Sequence, residues 1–184
     1  MSERHEIWTV GHWTSPVPDV LELLDEHEIE VLVDVRAHAG SRRSPQFGAD
    51  VMSDWLGENG IEYRRIAKLG GRRRRQDVDP SINAAWQNDS FKNYADYTLT
   101  DEYRDGIEEL TSVARSRSVA IMCGEPVPWR CHRLLIANTL AADGWTVTHL
   151  FADGAAREHV LGQWGATPFV AADGLVTYPD PSDD

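Results

Sequence analysis

Cysteine is nearly missing from this chain: 184 residues hold two, Cys123 and Cys131. Two are too few for a disulfide scaffold, and a reducing compartment would keep both as thiols. Long apolar runs are also missing. None approaches the roughly 20 residues that span a bilayer, so no membrane partner is expected. The segment Met1–Glu6 lacks an apolar signal region, which points to a cytoplasmic protein. Positive charge is scarce as well. A formal net charge of -12 excludes broad, non-specific association with nucleic acid but leaves room for a local basic site. Repeats and dividing linkers are not evident, so one domain over residues 1–184 is expected, with a core over 6–165 and an acidic tail over 179–184.

What is present alternates. Ile7–Val10 reads as a first strand ending in Gly11-His12, and Ser15 is placed to cap a helix with Pro16 at its first position. Ile29–Val35 is almost continuously apolar, as a central parallel strand is. Met52, Trp55 and Leu56 mark a helix, and Ile61–Ile66 a third strand. Residues 68–90 lack periodicity and read as a long loop with a helical turn near Ala84–Trp86. Phe91–Leu99 reads as a short helix, and Thr100 caps the next, whose inner stripe is Tyr103, Ile107, Leu110 and Ala114. Val119–Met122 and Thr146–Phe151 complete five strands. A short helix is expected near Arg157–Leu161, then a small hairpin within Val170–Thr177. This spacing predicts a three-layer α/β sandwich around a mainly parallel sheet of about five strands. Right-handed crossovers would bring Gly11-His12, Arg36 and Cys123 to one edge.

The densest chemistry falls in Val119–Arg133: a buried strand, a turn punctuated by Pro126 and Pro128, and a helix ending at Asp143-Gly144. Cys131 is expected in that helix's first turn. The helix amino end and Arg130, His132 and Arg133 would there favour the thiolate and make it a nucleophile, with Cys123 as resolving or ligating partner. Small packing thiols are the plainer alternative. A zinc site is disfavoured by the lack of a Cys-x-x-Cys pair, so no metal and no cofactor is assigned. Glu125 is a candidate general acid or base, or one half of an ion pair; His12 and His132 are candidate proton carriers.

Arginine is the most legible feature. Arg36, Arg42, Arg43, Arg64, Arg65 and Arg72–Arg75 crowd residues 36–75 of an acidic chain, and the planar guanidinium suits phosphate or carboxylate. Arg36, Arg42, Arg43, Arg72, His132 and Arg133 are therefore candidate anion ligands, with Gly70 and Gly71 letting backbone amides approach. Arg72–Arg75 can equally be a solvated loop. Tyr94, Tyr97 and Trp86 can stack a base, although aromatics at this spacing are more often core.

Several pieces resemble one family: Thr9-Val10-Gly11-His12, Asp34-Val35-Arg36, Ser41–Phe47, Leu69-Gly70-Gly71, Phe91–Tyr97, Met122–Glu125 with Pro128, and Cys131–Ala137. In this order they are similar to the domain of unknown function 488 family over most of residues 7–150. The resemblance implies enzymatic activity through the cysteines, without a named reaction. Three functions remain. The first is an enzyme, a hydrolase or transferase, acting on a phosphate-bearing small molecule or nucleic acid, with His12, Glu125, Cys131 and Cys123 as its chemistry. The second is a thiol, sulfur-transfer or redox enzyme. The third is a non-catalytic nucleic-acid-binding or regulatory module using the region 36–75. The first is preferred, and on it Arg36→Ala and Glu125→Ala should remove function with little change in thermal midpoint.

Overall fold

The computed structural model describes residues 5–40 and 42–183. Eight strands and five helices alternate as β1 (Glu6–Gly11), α1 (Val17–Glu26), β2 (Val31–Asp34), α2 (Ala49–Glu58), β3 (Glu62–Arg65), α3 (Asp89–Tyr97), α4 (Asp101–Ala114), β4 (Val119–Cys123), α5 (Arg133–Ala142), β5 (Thr146–Leu150), β6 (Ala156–Glu158), β7 (Phe169–Val170) and β8 (Val176–Thr177). Six strands form one sheet in the order β3-β2-β4-β1-β5-β6, and β7 pairs with β8 as a separate small hairpin. The first five sheet strands run parallel; β6 runs antiparallel on β5. No helix among the described residues is long and apolar enough to cross a membrane.

Strand alternation sorts the side chains into two apolar layers. Ile7, Val31, Val33, Val119, Ile121 and Cys123 face α3, α4 and α5. Trp8, Val10, Leu32, Ala120 and Met122 face α1 and α2. β4 is buried along its whole length, as a strand covered on both sides must be. This fixes which side each polar group takes at the strand ends. Thr9 and Cys123 share the α5 side, and Asp34, next to Val33, takes the other.

Parallel pairing aligns those ends. Gly11 stands opposite Cys123 and Asp34 opposite Met122. The bonds continue past the strands, His12 N–H to the Cys123 carbonyl and Trp13 N–H to the Gly124 carbonyl, each 3.0 Å. Gly11 is required here, because a Cβ on it would lie 1.7 Å from the Glu125 carbonyl oxygen.

Four expectations need correction. Arg157–Leu161 is not a helix. β5 is an open edge whose backbone seeks partners, and Ala156–Glu158 satisfies it as a sixth strand. Ser15 does not cap α1; Pro16 holds the cap position with no side-chain bond, and Pro18 occupies the first turn. Cys131 is not in the first turn of α5. Pro128–Arg130 wind into a 3-10 turn, Cys131 follows in extended backbone, and the helix begins only at Arg133. The core also extends past residue 165: Tyr178 is buried, its amide bonds Asn83 Oδ1 and its carbonyl receives the Ala85 amide. Thr100 does cap α4, and Asn88 caps α3.

Candidate active site

A cleft of about 1010 Å³ opens where β1, β2 and β4 end. Its walls include His12, Trp13, Arg36, Arg42, Arg43, Gly71, Arg72, Tyr94, Cys123, Glu125, Arg130, Cys131 and His132. One carboxylate thus faces five arginines. Distant segments meet because each follows a strand end, the place where parallel sheets leave a crevice.

The floor is the thiol pair. Cys123 Sγ and Cys131 Sγ lie 2.9 Å apart, within the reach of a thiol hydrogen bond to a thiolate. Cys123 is buried at the end of β4, and Cys131 is half-buried. The backbone amide of Arg133, the first of α5, donates to Cys131 Sγ at 3.3 Å. Cys131 therefore lies just outside the helix amino end and still accepts from it. Burial alone would raise the Cys131 pKa, but the Cys123 thiol, the Arg133 charge and His132 outweigh it and hold it well below an ordinary thiol. Burial, followed by the thiolate beside it, pushes Cys123 the opposite way. The two shifts run in opposite directions, so of the two sulfurs Cys131 is the one that loses a proton more readily.

Arg133 explains why. Its side chain is fully buried, the largest such group among the described residues. Its guanidinium donates to Thr9 Oγ1 at 3.2 Å and to the Glu125 carbonyl at 3.0 Å, while Nε has no hydrogen-bond partner. Among the described residues no carboxylate pairs with it. Burial disfavours its charge, yet Cys123 and Cys131 overcome this and raise its pKa. A buried cation needs an anion. Here the anion is sulfur.

Arg36 is built differently. Nε and Nη2 grip Asp34 at 2.9 and 2.7 Å, and Nη1 donates to the Phe47 carbonyl at 2.7 Å. The Tyr63 hydroxyl donates at 2.5 Å to Asp34 Oδ2, the oxygen that Arg36 Nη2 also holds. Arg36 reaches the cleft wall with its donors already engaged, so Arg36→Ala strands a buried carboxylate and unsettles the fold. His12 stacks on Phe47 with ring centroids 4.4 Å apart. Its Nδ1–H donates to the Trp13 carbonyl at 2.8 Å, leaving Nε2 as an acceptor near Arg36 Nη1. Burial lowers the His12 pKa, assisted by Arg36, so the ring is neutral near pH 7.

The rim is polar and open. Arg42, Arg43, Arg72 and Arg130 are exposed. Gly71 lets the loop pass over His132, since a Cβ there would meet Nδ1 at 2.7 Å. His132 Nε2–H is held by the Val35 carbonyl. Trp13 is 46% exposed at φ 41°, a left-handed conformation that costs a bulky residue about 1–3 kcal/mol. Strain of this kind gathers at working sites.

Of the sequence candidates, Tyr97 lies away from the cleft: its hydroxyl donates to the Lys68 carbonyl and its ring carries Arg73 at 3.9 Å. Tyr94 touches the cleft, although its hydroxyl is bound to the Leu69 carbonyl. Gly70 is packed behind the wall, and Arg133 acts from beneath it. Arg73 bonds the Gly70 and Ala67 carbonyls, and Arg74 and Arg75 face solvent away from the cleft. Sequence reasoning passed over Trp13 as a site residue; its position directly after His12 was the available signal. No group of three or more His, Cys, Asp or Glu among the described residues is arranged to hold a metal ion.

Residues 16–140 match a family described as domain of unknown function DUF488. That span contains every cleft residue except His12, Trp13 and Thr14. No curated protein and no solved structure matches the chain.

Proposed function

The chain belongs to the domain of unknown function 488 family, and we propose that it is an enzyme whose nucleophile is the Cys131 thiolate and whose substrate carries a phosphate. The observation that carries this reading is the buried Arg133, which has two sulfurs and no carboxylate to balance it. Arg42, Arg43, Arg72 and Arg130 are free at the rim to take the phosphate as paired donors. The half-exposed Trp13 offers an indole face on which a nucleobase can stack, which favours a nucleotide over a bare phosphate ester.

In the reaction, the Cys131 sulfur forms a bond to the substrate's electrophilic atom as the bond to the leaving group breaks. The leaving group departs with the proton held by Cys123. Water then breaks the sulfur adduct, its proton passes to Glu125 or neutral His12, and the thiol pair recovers its shared proton.

A second reading is favoured by the 2.9 Å separation of the sulfurs. On a substrate whose electrophilic atom is sulfur, the adduct is a mixed disulfide; Cys123 attacks its Cys131 sulfur, the intramolecular disulfide forms, and the bound group leaves as a thiolate with the electron pair. The substrate is reduced by two electrons, and an external dithiol restores the pair.

Protection distinguishes these readings. A panel of nucleoside 5′-phosphates should slow iodoacetamide modification of Cys131, and the double change Arg42→Ala/Arg43→Ala should abolish that protection. No protection by any phosphate would defeat the substrate assignment. Turnover leaving a disulfide, seen by mass before reductant is added, would select the second reading.

A further inference from the structure

The thiol corner is tied to the chain beyond residue 140 by an unbroken row of buried hydrogen bonds. Arg133 Nη1 donates to Thr9 Oγ1, so the Thr9 hydroxyl proton is left to donate to His149 Nδ1, 2.6 Å away. That makes Nδ1 the bare nitrogen and places the hydrogen on His149 Nε2, which donates to His159 Nδ1 at 2.9 Å. By the same logic His159 Nε2–H donates to Asn138 Oδ1 at 2.8 Å. Asn138 Nδ2 ends the row on the Tyr178 hydroxyl at 2.9 Å.

All five residues after Arg133 are buried: Thr9, His149 and Asn138 at 0%, Tyr178 at 2% and His159 at 6% exposure. With Asn138 Oδ1 facing His159 and its Nδ2 facing Tyr178, one proton arrangement satisfies every bond, and in it both imidazoles are neutral. Burial, the facing His159 and Arg133 hold His149 down to about 3, and burial holds His159 down to about 4. The row also has a direction. Every hydrogen points away from Arg133 and every acceptor toward it, so the chain of dipoles presents negative ends to the cation.

We propose that Thr9, His149 and His159 are positioning residues for the thiol chemistry. Their oriented row keeps Arg133 aimed at Cys123 and Cys131, and so keeps Cys131 ionised. The inference rests on the reading of Cys131 as a thiolate. Arg133 is faced by Cys123, Cys131 and His149; His149 is faced by His159, Arg133 and the Trp164 ring. Because His149, His159 and Tyr178 lie outside residues 16–140, the C-terminal part of the chain serves the site without touching the cleft.

The test is the pH dependence of Cys131 alkylation by iodoacetamide in the full chain, followed from pH 5 to 10 by mass spectrometry. Thr9→Val keeps the side-chain shape and removes the hydroxyl; Thr9→Ser keeps the hydroxyl; His149→Phe keeps ring bulk and removes both bonds. Thr9→Val and His149→Phe should raise the inflection by about one unit, slowing modification by up to about tenfold at pH values below the wild-type inflection and leaving it unchanged well above both inflections. Thr9→Ser should follow the wild-type curve. Folded Thr9→Val and His149→Phe proteins with the wild-type inflection would overturn the proposal and reduce the row to packing. A wild-type curve already at the ordinary thiol position would bring down the thiolate reading as well. Should His149→Phe fail to fold, the Thr9 pair decides alone.

Discussion

Two buried arginines stand at neighbouring strand ends, and they are neutralised in opposite ways. Arg36 follows β2 and is gripped by Asp34 through both carboxylate oxygens. Arg133 opens α5 and has only a hydroxyl, a carbonyl and two sulfurs about it. The first arrangement is complete whatever else binds, and it stiffens the wall on which His12 rests. The second is complete only when a thiol has lost its proton. The charge structure of a stable wall and that of a reactive floor therefore differ in one respect: whether the counterion can also attack a substrate.

Removing each cation sharpens that contrast most strongly. Arg36→Met should destabilise the protein by about 3–5 kcal/mol, because Asp34 is left buried and unpaired. This reverses the expectation that Arg36 could be removed with little thermal effect. Arg133→Met should leave stability within about 1.5 kcal/mol, since the thiolate can take up a proton, while the reactivity of Cys131 at pH 6 falls by at least about tenfold. Urea unfolding and alkylation rates measure the two halves. Equal destabilisation by both changes would erase the distinction.

Acid should act next, through the supporting histidines. His149 and His159 titrate near 6.5 when unfolded and at about 3 and about 4 when folded. The unfolded chain then binds more protons between these limits, so stability must fall as pH drops from about 6.5 toward 4, by roughly 3–6 kcal/mol. Unfolding curves at pH 7 and 4, repeated with His149→Phe, measure this loss; the variant should lose less on acidification.

A smaller effect is expected when the anion is removed from the floor. Cys131→Ser leaves Arg133 with only the Cys123 sulfur and should cost about 1–3 kcal/mol, more than Cys123→Ser does, by urea unfolding at pH 8. The rim should respond least in stability. Arg42→Ala and Arg43→Ala should leave the thermal midpoint unchanged while weakening a protecting nucleotide several-fold each, with added salt narrowing the difference. Arg74→Ala and Arg75→Ala should change neither the midpoint nor the protection.

The strand–turn–helix over Val119–Arg133 was legible because its signals are local: an apolar run, prolines, then helical spacing. The meeting of His12, Glu125 and the cysteines in one cleft followed from parallel topology alone. What remained hidden depends on contacts between distant segments. Nothing near Arg157 announces a strand, since its partner is the exposed edge of β5. The row from Thr9 through His149 to Tyr178 spans most of the chain, and no spacing rule connects its members. Asp34 two residues before Arg36 was readable as a partner, but the completeness of that grip was not. The misplacement of Cys131 came from the prolines, which tighten the turn and delay the helix to Arg133, two residues on.

On the proposed reading, Cys131 is a thiolate because the buried Arg133 has no carboxylate beside it. The direct measurement is the wild-type rate of Cys131 alkylation against pH, with Cys123 distinguished by peptide mass. An inflection well below the ordinary thiol value of about 8.5, abolished by Arg133→Met, is expected. An inflection near 8.5 in the wild type, or one that Arg133→Met leaves in place, would contradict it.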